Sequence, residues 1–147
     1  MARTGKSHGF SLIEVLVTLV VLSIGLLSLA ALQVATLKNN NSALSRFEAT
    51  TLMYDILDRM RANRTPAIAG NYNIALTDNA PTCTVIASCD LRDWLNALSA
   101  SLPAGDGSIA VNGRQATVTV QWLENWDESL GADPQNRYMT MVFRTEL

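Results

Sequence analysis

HGFSLIEVLVTLVVLSIGLLSLAAL, running from His8 to Leu32, is the stretch that decides the fold. It is apolar almost throughout, yet the carboxylate of Glu14 stands near its start. From Val15 to Leu37 no residue is charged, a run of 23 positions. As a helix rising 1.5 Å per residue, that run covers about 35 Å, enough to cross a hydrocarbon core of about 30 Å. Arg3 and Lys6 precede it, so the positive-inside rule places the N-terminus in the cytoplasm and the rest of the chain outside. The competing reading is a cleaved secretory signal, with the small residues of Ser28–Leu32 offering a cut. Such a signal has a shorter apolar core, about 7–15 residues, and Glu14 would sit within its first turns. The segment therefore reads as an uncleaved span.

Helical periodicity continues past the apolar run. After Lys38–Asn41 (KNNN), the residues Leu52, Met53, Ile56, Leu57 and Met60 form a helical stripe, with Leu44 and Phe47 extending it upstream. Arg46, Glu48, Asp55, Asp58 and Arg59 fall on the other faces. Thr65 precedes Pro66, which disfavours helix and predicts an end near Arg64. Phe10 to Arg64 then reads as one helix of roughly 80 Å, half in lipid and half amphipathic, with the three asparagines as a bend point. The alternative divides it into a membrane helix, a linker and a separate core helix.

Beyond Pro66 the pattern shortens. Gly70–Asn79 reads as a loop with a short strand around Tyr72–Leu76. Asp90 is expected to cap a helix carrying Leu91, Trp94, Leu95, Leu98 and Leu102, which Pro103 and Gly105 end. SIAVNGRQATVTVQW (Ser108–Trp122) predicts a β-hairpin with a type I′ turn at Asn112-Gly113. In it Ala116, Val118, Val120 and Trp122 alternate with Thr117, Thr119 and Gln121. ENWDESLGADPQN is an acidic, turn-rich loop, and RYMTMVFRTEL a final strand. The fold class is α+β, a long N-terminal helix packed on a small antiparallel sheet.

Composition narrows the function. The formal net charge is −2 and the basic residues are scattered, so no basic stripe suits nucleic acid. His8 is the sole histidine and lies before the apolar run, so a chain cut after Gly9 has none. That removes the commonest general base and metal ligand together. Cys83 and Cys89 form an even, closely spaced pair, which in an exported domain reads as a disulfide, whereas zinc would need further ligands. A ring this short contributes about 2 kcal/mol by loop closure.

Acid pairs do not amount to a catalytic set. Asp55 and Asp58 share a helix face with arginines nearby, and Asp127, Glu128 and Asp133 fit no EF-hand spacing. There is no phosphate loop, no G-x-S-x-G and no H-E-x-x-H. The chain reads as non-enzymatic, with no cofactor. Trp94 and Trp122 fall on inward positions, leaving Trp126 as the tryptophan suited to a partner surface.

Basic leader residues, then Gly9, then Phe10-Ser11-Leu12-Ile13-Glu14-Val15, then a charge-free helix is similar to the class III signal of type IV prepilins and pseudopilins. The resemblance implies a leader over residues 1–9, cut by prepilin peptidase between Gly9 and Phe10, and N-methylation of the new Phe10 amine. It implies a transmembrane and assembly segment over residues 10–37, and a periplasmic head over 38–147. Glu14 becomes the assembly residue, paired in a helix bundle with an N-terminal amine of an adjacent subunit. No proline breaks the membrane half, and the disulfide is mid-chain; both depart from major pilins. The apolar run, CDLRDWLNAL (Cys89–Leu98) and VTVQW (Val118–Trp122) resemble minor pilins of the PilV type. That implies other minor pilins, the major pilin, the inner-membrane assembly platform and a tip adhesin as partners, in a fibre outside the cell. A type II secretion pseudopilin shares the N-terminal logic. A single-pass sensor or binding protein is the rival from another class.

Overall fold

The structure is a computed structural model, and it describes residues 11–124 and 138–147. Gly9, Phe10, Trp126, Asp127, Glu128 and Asp133 lie outside the described residues. In chain order the elements are α1 (Leu12–Ala62), α2 (Arg64–Ile68), α3 (Ile86–Ser101), β1 (Asp106–Asn112), β2 (Gln115–Leu123) and β3 (Tyr138–Glu146). This is an α+β, pilin-like arrangement of a long N-terminal helix and a small antiparallel sheet. The chain divides into two compact units between Asn40 and Asn41. Lys38–Asn41 is helical throughout.

In the second unit the core forms where α1, α3 and one sheet face meet. Met53, Ile56, Leu57 and Met60 are buried, as their spacing predicts. Leu44 and Phe47 are not: Phe47 is 68% exposed. Periodicity identifies which residues share a face but not how far along the helix a partner reaches, and burial on α1 begins only at Ala49. The helix ends at Ala62, and Pro66 lies inside the short α2 rather than beyond the last helix. In a first turn its missing N–H has no intrahelical partner to lose.

α3 begins at Ile86, so Asp90 is an interior residue and not the predicted cap. Ser88 organises this end instead: its Oγ accepts from the N–H groups of Thr84 and Val85 at 2.9 and 3.0 Å and donates to the Val85 carbonyl at 2.9 Å. Leu91, Trp94, Leu95 and Leu98 are buried, and the Trp94 indole donates to the Leu52 carbonyl at 3.0 Å, tying α3 to α1.

The strands form a meander in the order β1-β2-β3, antiparallel throughout. Asn112 pairs with Gln115, so the turn residues are Gly113-Arg114 and not the expected Asn112-Gly113. Gly113 has φ +60° while Arg114 is not among the positive-φ residues, the pattern of a type II′ turn with glycine first. Ala116, Val118, Val120 and Trp122 all face the core. Burying the Trp122 ring stabilises by roughly 5 kcal/mol. That exceeds the cost, about 1–3 kcal/mol, of its indole N–H having no hydrogen-bond partner among the described residues. The strand expected at Tyr72–Leu76 reduces to one bridge, Ile74 to Ile109, beside β1.

Candidate functional site

Glu14 lies in the first turn of α1, with its N–H donating to the Ser11 carbonyl at 3.1 Å and its side chain exposed. After it the helix presents apolar side chains on every face: Leu16, Leu19, Leu22, Leu26, Leu29 and Leu32 are all exposed. A helix apolar all round requires a dry environment, either lipid or other helices. Its hydroxyls are compatible with both. Thr18 donates to the Val15 carbonyl at 2.8 Å, Ser23 to Leu19 at 2.7 Å, Ser28 to Ile24 at 3.0 Å and Thr36 to Leu32 at 2.9 Å. A hydroxyl bonded back to its own helix needs no water. Glu14 is therefore the one ionisable side chain between Ser11 and Leu37.

The energetic consequence is asymmetric. An ionised carboxylate at mid-bilayer costs about 2.5–3.5 kcal/mol, less near the headgroups. Buried among helices without a cation, it costs about 3–5 kcal/mol. A cation beside it would offset that cost. The predicted source of that cation, the Phe10 amine, lies outside the described residues with Gly9.

The second unit is closed by a polar clasp that sequence reading missed. Tyr72 is fully buried, and its hydroxyl donates to Asp90 Oδ2 at 2.6 Å and accepts from Asn63 Nδ2 at 3.0 Å. Arg59 donates to Asp90 Oδ1 at 3.3 Å and to Asp55 Oδ2 at 3.0 Å. Burial first, and then the bond to Asp90, push the Tyr72 hydroxyl up to about 12. Desolvation pulls the Arg59 guanidinium down, but Asp55 and Asp90 outweigh it and hold it above its ordinary value. α1, the Gly70–Asn79 loop and α3 are thereby joined through one carboxylate. No local pattern announces this, because the partners are distant in sequence.

Cys83 and Cys89 are joined by a disulfide that straddles the start of α3, next to Asp90 and around Ser88. Asp55 and Asp58 pair with Arg59 and Arg61 at 3.0 Å each, so both belong to charged helix faces. Among the described residues no group of three or more His, Cys, Asp or Glu is placed to hold a metal ion.

Two adjoining parts of the chain match known families. Residues 4–30 match the prokaryotic N-terminal methylation motif, and residues 31–93 match the type IV pilin Tt1218 family. No curated protein and no solved structure matches the chain.

Proposed function

Because this is a type IV pilin-like protein, we propose that it serves as a minor pilin of a type IV pilus, of the PilV type. It is made with a leader over residues 1–9 that prepilin peptidase removes after Gly9, and the new Phe10 amine is N-methylated. Residues 10–37 hold the subunit in the inner membrane, head outward, until it joins other minor pilins and the major pilin near the fibre tip. The observation that carries this reading is the single carboxylate of Glu14 just before a helical run, Val15 to Leu37, that is free of charge and whose hydroxyls are bonded to its own backbone.

The mechanism follows from those groups. Before cleavage Glu14 stays near the headgroups, and Arg3 and Lys6 oppose extraction of the helix. Cleavage removes both cations and creates an amine whose usual pKa, about 7.7–8.0, keeps much of it protonated near neutral pH. Glu14 then gains a partner within the bundle, and helix packing supplies the remaining cohesion.

The test combines two variants of the full chain. Gly9→Leu should leave the leader attached, read by N-terminal sequencing. Glu14→Leu should still be cut and inserted in the membrane but be missing from sheared fibres. Fibres carrying the Glu14→Leu chain at the wild-type level would overturn the assembly role. Copurification of the wild type with secretion components instead of pili would assign it to the pseudopilins.

A further inference from the structure

The antiparallel ladder shows which backbone groups β3 leaves unused. A two-residue turn makes Asn112 and Gln115 a hydrogen-bonded pair, and bonded and non-bonded pairs alternate from there. Val118 and Val120 therefore direct N–H and C=O toward β3, where Phe143 and Met141 receive them. Thr140, Val142 and Arg144 direct theirs away from β2, to the outer edge. Two contacts outside the strands agree with this phase. Leu147 donates back to the Arg114 carbonyl at 2.8 Å, and Ile109, pointing away from β2, exchanges bonds with Ile74 at 2.9 and 3.0 Å.

The edge of β1 is thus occupied in part by Ile74, whereas no backbone group among the described residues pairs with the outer edge of β3. Of the usual devices that blunt an edge, the described residues show only the charged side chains of Arg144 and Glu146. β3 contains no proline or lysine, and its register with β2 runs residue for residue without a bulge. Its core-facing row is also incomplete. Met141 and Phe143 are only half-buried, while their partners Val120 and Val118 are fully buried. Beside them a cleft of about 200 Å³ lies between α1 and β3, lined by Met53, Tyr54, Leu57, Met141 and Phe143.

We propose that the outer edge of β3 receives an extended strand from a different subunit, apolar at alternate positions and acidic opposite Arg144. The free N–H and C=O groups call for an extended backbone. The cleft and the half-buried row call for apolar side chains at every second residue. Charge selects the partner further. Glu146 is already paired with Arg114 at 3.5 Å, whereas no acid among the described residues lies within ion-pair distance of Arg144. The β3 strand of a second copy does not supply that acid. Pairing β3 antiparallel with itself at full overlap sets Thr140 opposite Arg144, and bringing Glu146 there leaves only Arg144–Glu146 overlapped. This inference rests on the pilin-type reading for the assembly in which the partner occurs.

Two experiments on the full chain in its own cell test it. A benzophenone amino acid introduced at Thr140 should crosslink to a different chain, at a peptide that alternates apolar and polar residues and carries Asp or Glu. Val142→Pro removes an outward N–H without touching the β2 ladder, and Val142→Ala keeps it. The proline variant should enter fibres about tenfold less than wild type, and the alanine variant equally well. Arg144→Glu should also reduce entry, which keeps the test valid if the proline variant fails to fold. A crosslink to residues 125–137 of the same chain, or to a second copy, overturns the proposal. So does normal fibre entry of folded Val142→Pro. Loss of the wild type itself from fibres would instead count against the minor-pilin reading, and the Thr140 crosslink would still report on the edge.

Discussion

Tyr72→Phe removes one oxygen from the clasp, and its effect on stability should depend on pH in a way that reports the burial of that hydroxyl together with its bond to Asp90. Folded, the Tyr72 hydroxyl is held up to about 12 by burial and by its bond to Asp90; unfolded, it titrates near 10. Between those values the folded chain keeps a proton that the unfolded chain has lost. The contribution is therefore complete below about pH 10 and disappears as pH rises to about 12. Two pKa units correspond to about 2–3 kcal/mol. A hydrogen bond to a charged acceptor gives a similar figure, about 1.5–3 kcal/mol. No discount for solvent applies, because Tyr72 is 0% exposed. For a head of this size the loss amounts to roughly 10 °C in Tm. Urea unfolding of the full chain in detergent, followed by tryptophan fluorescence, measures it, since Trp94 and Trp122 are both buried in that unit. The wild type should exceed Tyr72→Phe by about 2–3 kcal/mol near neutral pH, and the gap should narrow by that amount between about pH 10 and 12. A gap that stays constant across that range would refute the assignment of a buried Tyr72 hydroxyl bonded to Asp90.

Two further outcomes follow from the packing. A Cβ placed on Gly107 would meet Trp94 Cη2 closest of all, with Leu98 Cδ1 at 2.8 Å and Trp94 Cζ3 at 2.9 Å. Gly107→Ala should therefore cost about 1–3 kcal/mol by overpacking, and an unchanged urea midpoint would contradict that contact. Replacing both Cys83 and Cys89 by serine should lower stability by about 2 kcal/mol. Wild type treated with a reductant should match the double variant, and a difference between them would show an effect beyond the ring.

Much of this architecture can be read directly from the sequence. The charge-free run and the stripe from Met53 to Met60 identify the long helix, and the alternation from Ala116 to Trp122 identifies the central strand and its buried face. The turn between β1 and β2 is misplaced by one residue for a specific reason. Moving a two-residue loop by one position changes the partner of each residue by two, and a shift of two keeps the same side chains on the same face. Alternation alone cannot distinguish the two registers; the positive φ confined to Gly113 can. Asp90 was misassigned because capping preference is a local rule, while Asp90 is engaged by Tyr72 and Arg59 from elsewhere in the chain.

The inward-bonded hydroxyls of Thr18, Ser23, Ser28 and Thr36 have a consequence for how such a helix behaves. With its hydroxyls occupied by its own backbone, the segment from Val15 to Leu32, which ends before the amide of Gln33, is nearly indifferent to whether hydrocarbon or another helix surrounds it. Sequence drift along that segment can then change packing detail without changing which surroundings are preferred. The decision is concentrated in the first turn, at Glu14, so timing is set by the chemistry of one end and cohesion by the length of the rest.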